Sequence, residues 1–546
     1  MKRSLKISLW VIGSLAVLVI GVFMSADIIA SRLVQQQVRE SFEEIPEADA
    51  KIGHIYLNLL SGSAIVRDIT FLTNSLARED SLSGRREPGL AVHIPTLAIW
   101  NISYLDLLKY HRLAVFKISI NDPQLLVYLD EEHPESLLPV FPEDDMLEEV
   151  QEWLADVEVK HVEISNMQAR LHSTNSPLSI ALDSLYTECC DLCYNIRDSL
   201  FTYNDSVYEL RLGAAKIKLP TEFINMEIHN LQTKNQGPLN LGYTRVYHDI
   251  KPHQLADLKR EPTTWIDLEV NRLSTSPLNP IRKALAQDYT LDALQVDCKR
   301  IHIHRDARYP AKIPYGTPQD FLRKIPVHFL VKKIDGKAKK VDVEFASTDI
   351  NCGEMHLKNG RAVLTNITNR KGATWKTYGK APFGEQGLVE AHYDFHLDKD
   401  ATFSISIAGK DVETADLNPF IRPLIGITSD CHIDRIDAVY KGDRNKATGT
   451  FCMQYHGLNV KVHKEDKIPY EVVSKNADFF TSLANTLVPK NNPTSVDPAP
   501  RQYDVEWKRD EWKPYPLFLF GPCIDGVKKT MLPGLYVHKQ TQKKKK

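Results

Sequence analysis

Three segments of this chain alternate apolar and polar residues with a period of two: Val341, Val343 and Phe345; Tyr393, Phe395 and Leu397; Phe403, Ile405 and Ile407. Successive side chains of a strand point to opposite faces. Each segment therefore predicts a β-strand with one apolar and one polar face, as in an antiparallel sheet covered on one side. Ile52 to Leu59 and Ser63 to Leu72, separated by Ser61-Gly62, predict a hairpin. Leu97 to Ile102, Val115 to Ile120 and Leu125 to Leu129 predict further strands, the last two divided by Asn121-Asp122-Pro123. Val162-x-Ile164 and Ala169-x-Leu171 restart the pattern of Ile118-x-Ile120 and Leu125-x-Val127, and Leu291 to His304 continues it.

Helical spacing is confined to short pieces. They are Ser31 to Glu44, Leu105 to Leu108, Gln254 to Leu258, Pro280 to Ala286, Ala477 to Val488 and an amphipathic stretch around Met146 to Leu154. The last of these follows the acidic, Pro-containing segment Glu131 to Glu149, whose carboxylates read as a solvated face. Pro489 to Pro500 reads as a loop, and Trp512 to Leu535 mixes aromatics with Pro and Gly. The fold class is mainly β. Its apolar faces can be buried by packing two sheets together, or left lining the concave side of one long, strongly curved antiparallel sheet. The second arrangement leaves an open apolar groove that calls for a ligand.

The N-terminus sets the topology. Lys2, Arg3 and Lys6 precede an uncharged apolar run from Ile7 to Ala26, closed by Asp27. About twenty apolar residues at ~1.5 Å each span a hydrocarbon core of roughly 30 Å, with the cations on the cytoplasmic side. The run is longer than a signal-peptide core, and its end is a poor cleavage site. An uncleaved single-pass anchor is therefore expected, with the bulk of the chain across the membrane.

Composition narrows the function. The net charge of −2 offers no basic field for nucleic acid, and Lys543 to Lys546 reads as a solvated tail. Eight cysteines in 546 residues make no disulfide framework. Cys189, Cys190 and Cys193 lack a second Cys or His pair for a tetrahedral metal site and read as buried thiols. No nucleophile elbow, Walker loop, dinucleotide fingerprint or His-Glu-x-x-His motif occurs, so no catalytic residue, cofactor or metal is assigned. The best metal candidate is His302, His304 and Asp306, which a strand would place on one side. No further ligand is indicated and Arg305 adds a competing charge. The expectation is that Ile301 and Ile303 face the core while the histidines face solvent.

Several segments resemble AsmA-like envelope proteins of Gram-negative bacteria, Bacteroidetes included, in the subgroup carrying a domain of unknown function. At the front these are the anchor, Lys51 to Thr70, Leu107-Leu108 and Phe116 to Tyr128. At the back they are Leu417-Asn-Pro-Phe420, Ile433 to Asp437, Ala447 to Gly449, Met453 to Val460, Leu483 to Val488 and the Gly-containing stretch Gly521 to Gly534. The matching residues lie in both end regions, and their order carries the specificity.

The resemblance implies a periplasmic protein hung from the inner membrane. A β-groove would bind acyl chains of phospholipid or other lipid and serve lipid transport or outer-membrane homeostasis. Val341, Val343, Phe345, Tyr393, Phe395, Leu397, Phe403, Ile405 and Ile407 are the expected lining. A non-enzymatic scaffold or assembly factor for outer-membrane proteins is the alternative. The expected organisation is a cytoplasmic N-terminus (1–6), the anchor (7–26), an N-terminal β unit (31–155), a middle β region (156–310), a C-terminal β region (311–488) and a Pro/Gly/aromatic segment with a basic tail (489–546).

Overall fold

A computed structural model describes residues 26–36, 39, 48–73, 88–130, 155–195, 200–220, 223–279, 282–283, 286–325, 327–347, 352–463, 477–495, 498–533 and 539–540. The expected anchor up to residue 25, the acidic segment and the helix expected near Met146, part of Pro280 to Ala286 and the basic tail lie outside these residues. Among the described residues no helix is long and apolar enough to cross a membrane. The chain is mainly β and forms two compact units, residues 1–241 with 277–282, and residues 242–276 with 283–546.

Unit 1 carries β1 (Ala48–Asn58), β2 (Ser63–Thr73), β3 (Gly89–Ile102), α1 (Tyr104–Tyr110), β4 (Arg112–Asn121) and β5 (Gln124–Leu129). It continues through β6 (Asp156–Ser173), β7 (Ser179–Asn195), β8 (Leu200–Lys218), β9 (Ile224–Lys234) and β10 (Pro238–Leu241). The predicted hairpin is β1 with β2, Ile55 opposite Val66. Gly62 turns the chain at φ +62, where a Cβ would lie 2.6 Å from the Ile102 carbonyl oxygen. The outer edge of β1 is covered by the helical segment 26–36. Gln35 Nε2 donates to the Gly53 carbonyl (2.7 Å), the Leu57 N–H to Ser31 Oγ (2.9 Å) and the Leu59 N–H to Asp27 Oδ1 (2.8 Å).

β4 and β5 both pair antiparallel with β3 and run on as two halves of one strand, broken where Pro123 has no N–H to give and Asp122 is left-handed. Both also pair with β6 in parallel, Ile118 opposite Val162, Ile120 opposite Ile164, Leu125 opposite Ala169 and Val127 opposite Leu171. The restarted sequence pattern is thus a neighbouring strand in register with the one it resembles. The expectation of an antiparallel sheet is corrected here: β4 and β5 run parallel to β6, as the long separation of β5 from β6 in the sequence permits.

Unit 2 repeats the device. β13 (Tyr289–Leu291) and β14 (Leu294–Asp306) both run parallel to β15 (Phe329–Ala346), and the crossover carries α3 (Pro318–Arg323). The rest of its sheet pairs antiparallel: β11 (Thr244–His248) and β12 (Thr263–Pro277) on one side, and β16 (Cys352–Thr368), β17 (Thr374–Phe383), β18 (Gly387–His396), β19 (Phe403–Glu413), β20 (Ile427–Gly442), β21 (Lys446–Val462), β22 (Arg501–Lys508) and β23 (Lys539–Gln540) on the other. α2 (Pro252–Lys259) follows β11, as Gln254 to Leu258 predicts.

α4 (Asn418–Ile425), α5 (Ala477–Leu487) and α6 (Tyr515–Met531) pack on the strands from β16 to β22. Beneath them lies the larger apolar core, including Phe403, Ile405, Tyr440, Phe451, Tyr455 and Phe518. The C-terminal stretch of aromatics, Pro and Gly is therefore a helix. Gly521 lies against Trp507 and Gly526 against Phe451, so its glycines mark close approach to the sheet.

A line of left-handed residues crosses unit 1: Asp68 (φ 56), Asp122 (φ 55), Asn166 (φ 53), Ser184 (φ 57) and Asn230 (φ 56). All are exposed, and Gly213 of β8 faces Ser184. Each shifts its strand by one step of the alternation, so Val66 and Ile69, or Ile164 and Met167, share a face despite odd spacing. Asn and Asp tolerate this backbone better than branched residues. Asn166 also donates to Asp122 Oδ1 (2.6 Å). Asn166→Val is expected to cost about 1–2 kcal/mol and Asn166→Gly clearly less, measured by urea unfolding.

Candidate functional site

The registers of unit 1 align aliphatic side chains into rows that run across the strands. One row is Leu57, Ala64, Ile99, Ile118, Val162, Cys189 and Tyr208, and the next is Ile55, Val66, Leu97, Ile120 and Ile164. Beyond the left-handed line the same face continues with Phe71, Val92, Leu125, Ala169, Leu182, Ala215 and Ile228, then Leu90, Val127, Leu171, Ile180, Ile217 and Met226.

The opposite face is ionic, with Glu163, Glu188 and Glu209 in one row, Lys117 on Glu163, and Lys234 on Glu209 at 2.8 Å. Most residues in the aliphatic rows are only half-buried. Among the described residues no second sheet packs on them, and the helical pieces that touch strands of this unit lie at its margins, α1 on β4 and the segment 26–36 along the edge of β1. Both clusters of buried apolar residues lie in unit 2. Contiguous exposed apolar surface of this kind marks a site that binds a lipid, a membrane or a partner.

The lining residues expected from sequence lie in unit 2, and those on β18 and β19, with Leu397 just past β18, are closed over. Phe395, Phe403 and Ile405 belong to the helix-capped core, Tyr393 and Ile407 pack against it, and Leu397 is fully buried. The Phe403 and Phe518 rings meet edge-on at 5.7 Å, which closes this part of the face with α6. Val341 packs against the small cluster of Val270, Cys298 and Ala338, while Val343 and Phe345 are half-buried beside it. The unit 1 rows carried the same signal, in Ile118-x-Ile120 and Val162-x-Ile164. Alternation shows which side is apolar, but not whether a helix covers it.

His302, His304 and Asp306 do share one face of β14, but the expected burial is reversed. His304 is 2% exposed and Asp306 0%, while Ile301 and Ile303 are half-buried on the other face. The partners come from segments distant in sequence. Glu344 of β15 bridges His302 Nε2 (2.7 Å) and His304 Nδ1 (2.8 Å), and His253 of α2 approaches Asp306 (3.4 Å). Asp342 meets Arg300 (3.0 Å), Lys340 (3.0 Å) and His356 (2.7 Å).

Two trios of donor atoms in this network lie close enough to hold a metal, His253 with His304 and Asp306, and His304 with Glu344 and Cys352. In the first, Arg308 already grips Asp306 at 2.8 Å and supplies the positive charge. In the second, Glu344 is already engaged by both His302 and His304, and burial and then Glu344 push the Cys352 thiol up to about 11. His161, Glu188 and Cys190 form a third trio, where burial first and Glu188 next raise the Cys190 thiol. All eight cysteines are free, with Cys190 buried and Cys189 and Cys193 half-buried.

The network is therefore an ion-paired layer with a pH signature. Burial works to raise Asp342, but hydrogen bonds from His356, Lys340 and Arg300 hold it down at about 2. Glu344 and Asp306 are likewise held low against burial, by His304 with His302 and by Arg308. A carboxyl depressed by folding contributes stability above its unfolded pKa of about 3.9, and that stability is lost as pH falls through the folded value. Unit 2 is expected to weaken between pH ~4 and ~2, with a shallower loss in Asp342→Asn, measured by denaturant titration at each pH.

No protein-family model matches the chain and no curated protein does, which leaves the open aliphatic face of unit 1 as the ground for a functional reading.

Proposed function

We propose that this protein is an inner-membrane-anchored periplasmic protein of AsmA-like type whose open aliphatic face carries lipid acyl chains. It supports phospholipid transport between membranes or outer-membrane homeostasis, and works by binding. The observation that carries this reading is the set of aliphatic rows crossing unit 1 without a covering layer, backed by an ionic opposite face. Acyl chains bind such a surface through burial alone, at roughly 25 cal/mol per Å². Bending at the left-handed line would turn the face into a trough. The Ile7 to Ala26 run would hold unit 1 at the membrane, because residue 26 opens the helical segment fixed along β1. That segment also covers the β1 edge, which weighs against recruiting outer-membrane proteins by strand addition there.

The test labels cells with a photoactivatable fatty acid, purifies the full chain and maps adducts by mass spectrometry. Adducts on β3 to β9 are expected, reduced about tenfold in Leu171→Asp, since losing one leucine contact of about 1.5–3 kcal/mol is worth at least that factor. Absence of lipid, with specific capture of an outer-membrane protein, would replace this reading with the assembly-factor one.

A further inference from the structure

Large apolar side chains crowd one end of unit 1. Leu60 in the β1–β2 turn is 74% exposed, and Leu105 and Leu108 on α1 are 78% and 74% exposed. Trp100, Tyr104 and Tyr110 stand exposed beside them in sequence. The backbone ties these pieces together. The Ile102 N–H donates to the Gly62 carbonyl (2.7 Å), joining the end of β3 to the turn, and α1 follows at once, capped by Ser103. α1 fully buries none of its residues: Leu107 is half-buried towards the sheet, while Leu105 and Leu108 stand in solvent.

The same end receives the N-terminal segment. Asp27 Oδ1 accepts from the Leu59 N–H at 2.8 Å, one residue from Leu60, and Asp27 directly follows the apolar run Ile7 to Ala26. We infer that this end of unit 1 is a membrane-docking surface that seats in the outer leaflet of the bilayer spanned by that run. The inference rests on the anchor proposed above. A span ending at Ala26 places Leu59 and Leu60 at the level where the chain leaves the hydrocarbon.

Leucines then reach the acyl boundary, and a Trp and two Tyr take the interfacial positions such rings favour. Lys109 on α1 is exposed, a cation suited to anionic headgroups. The aliphatic row of Leu57, Ala64, Ile99 and Ile118 begins within three residues of Leu60, and Ile99 precedes Trp100. The docked end is thus where acyl chains would pass from leaflet to sheet.

The test places benzoylphenylalanine singly at Leu105, Leu108, Leu15 or Phe223 of the full chain, reconstituted in vesicles of phosphatidylethanolamine and phosphatidylglycerol. Phe223 is exposed at the opposite ends of the strands, roughly 40 Å away at ~3.3 Å per residue. Lipid crosslinks are expected at Leu105, Leu108 and Leu15 and not at Phe223. In Leu105→Glu/Leu108→Glu, crosslinking from a probe at Leu60 should fall by about tenfold, the scale set by removing two apolar contacts, with circular dichroism unchanged because both leucines are exposed. Lipid at Leu15 with none at Leu105 and Leu108 overturns the docking surface and leaves the anchor standing. No lipid at Leu15 overturns the anchor and the docking surface with it. Crosslinks from Leu105 to a second copy of the chain also overturn the inference.

Discussion

Ile405→Asp is expected to unfold unit 2. Ile405 is 2% exposed, in a core that α6 closes through Phe518 and through the Tyr440 hydroxyl, which donates to the Leu519 carbonyl at 2.6 Å. A carboxylate there meets no partner and no water, and such a group costs on the order of 4–5 kcal/mol. That is a large part of the stability of a domain of this size. Urea unfolding should show the unit 2 transition moved to low denaturant or lost. Leu171→Asp is the contrast. Leu171 is half-buried on the open face, where water can reach a carboxylate, so the loss should be about 1 kcal/mol. One substitution tests the fold and the other tests binding. Equal losses at both positions would mean that the unit 1 face is as closed as the unit 2 core.

Gly526→Ala should detach α6 although it improves the helix. Alanine in a helix interior is favoured over glycine by about 1 kcal/mol. A Cβ at this position, however, would lie 2.1 Å from Phe451 Cγ, and Phe451 is itself buried in the core. Overpacking against a side chain that cannot withdraw costs about 1–3 kcal/mol and more when backbone must move, so the steric effect wins. Limited proteolysis should find residues 509–514 newly accessible, and thermal unfolding should begin earlier. Gly526→Ala combined with Phe451→Leu should recover part of the loss, because the two sites touch and their effects cannot add. A variant as stable as the parent would show that α6 has room to shift.

Much of the strand content is legible in the chain. The hairpin at Ser61-Gly62, the break at Asn121-Asp122-Pro123 and the helices near Gln254 and Ala477 appear where turn chemistry and periodicity predict them. α6 was hidden because Gly521, Pro522 and Gly526 resemble loop punctuation, while their physical role is close approach to Trp507 and Phe451. The surroundings of His304 were hidden for another reason. Glu344 and His253 lie 40 and 51 residues away in sequence and meet it only through strand pairing and the placement of α2.

The sequence by itself determined which residues form strands and which side of each strand is apolar, because both follow from local backbone preference and a period of two. Only the tertiary structure decided which apolar faces are closed. Coverage depends on elements distant in the chain: α4, α5 and α6 seal the faces that hold Phe403 and Ile405. No described helix or second sheet packs on the rows through Ile120 and Leu171. Periodicity records the direction of a side chain, whereas burial is a property of what arrives on top of it.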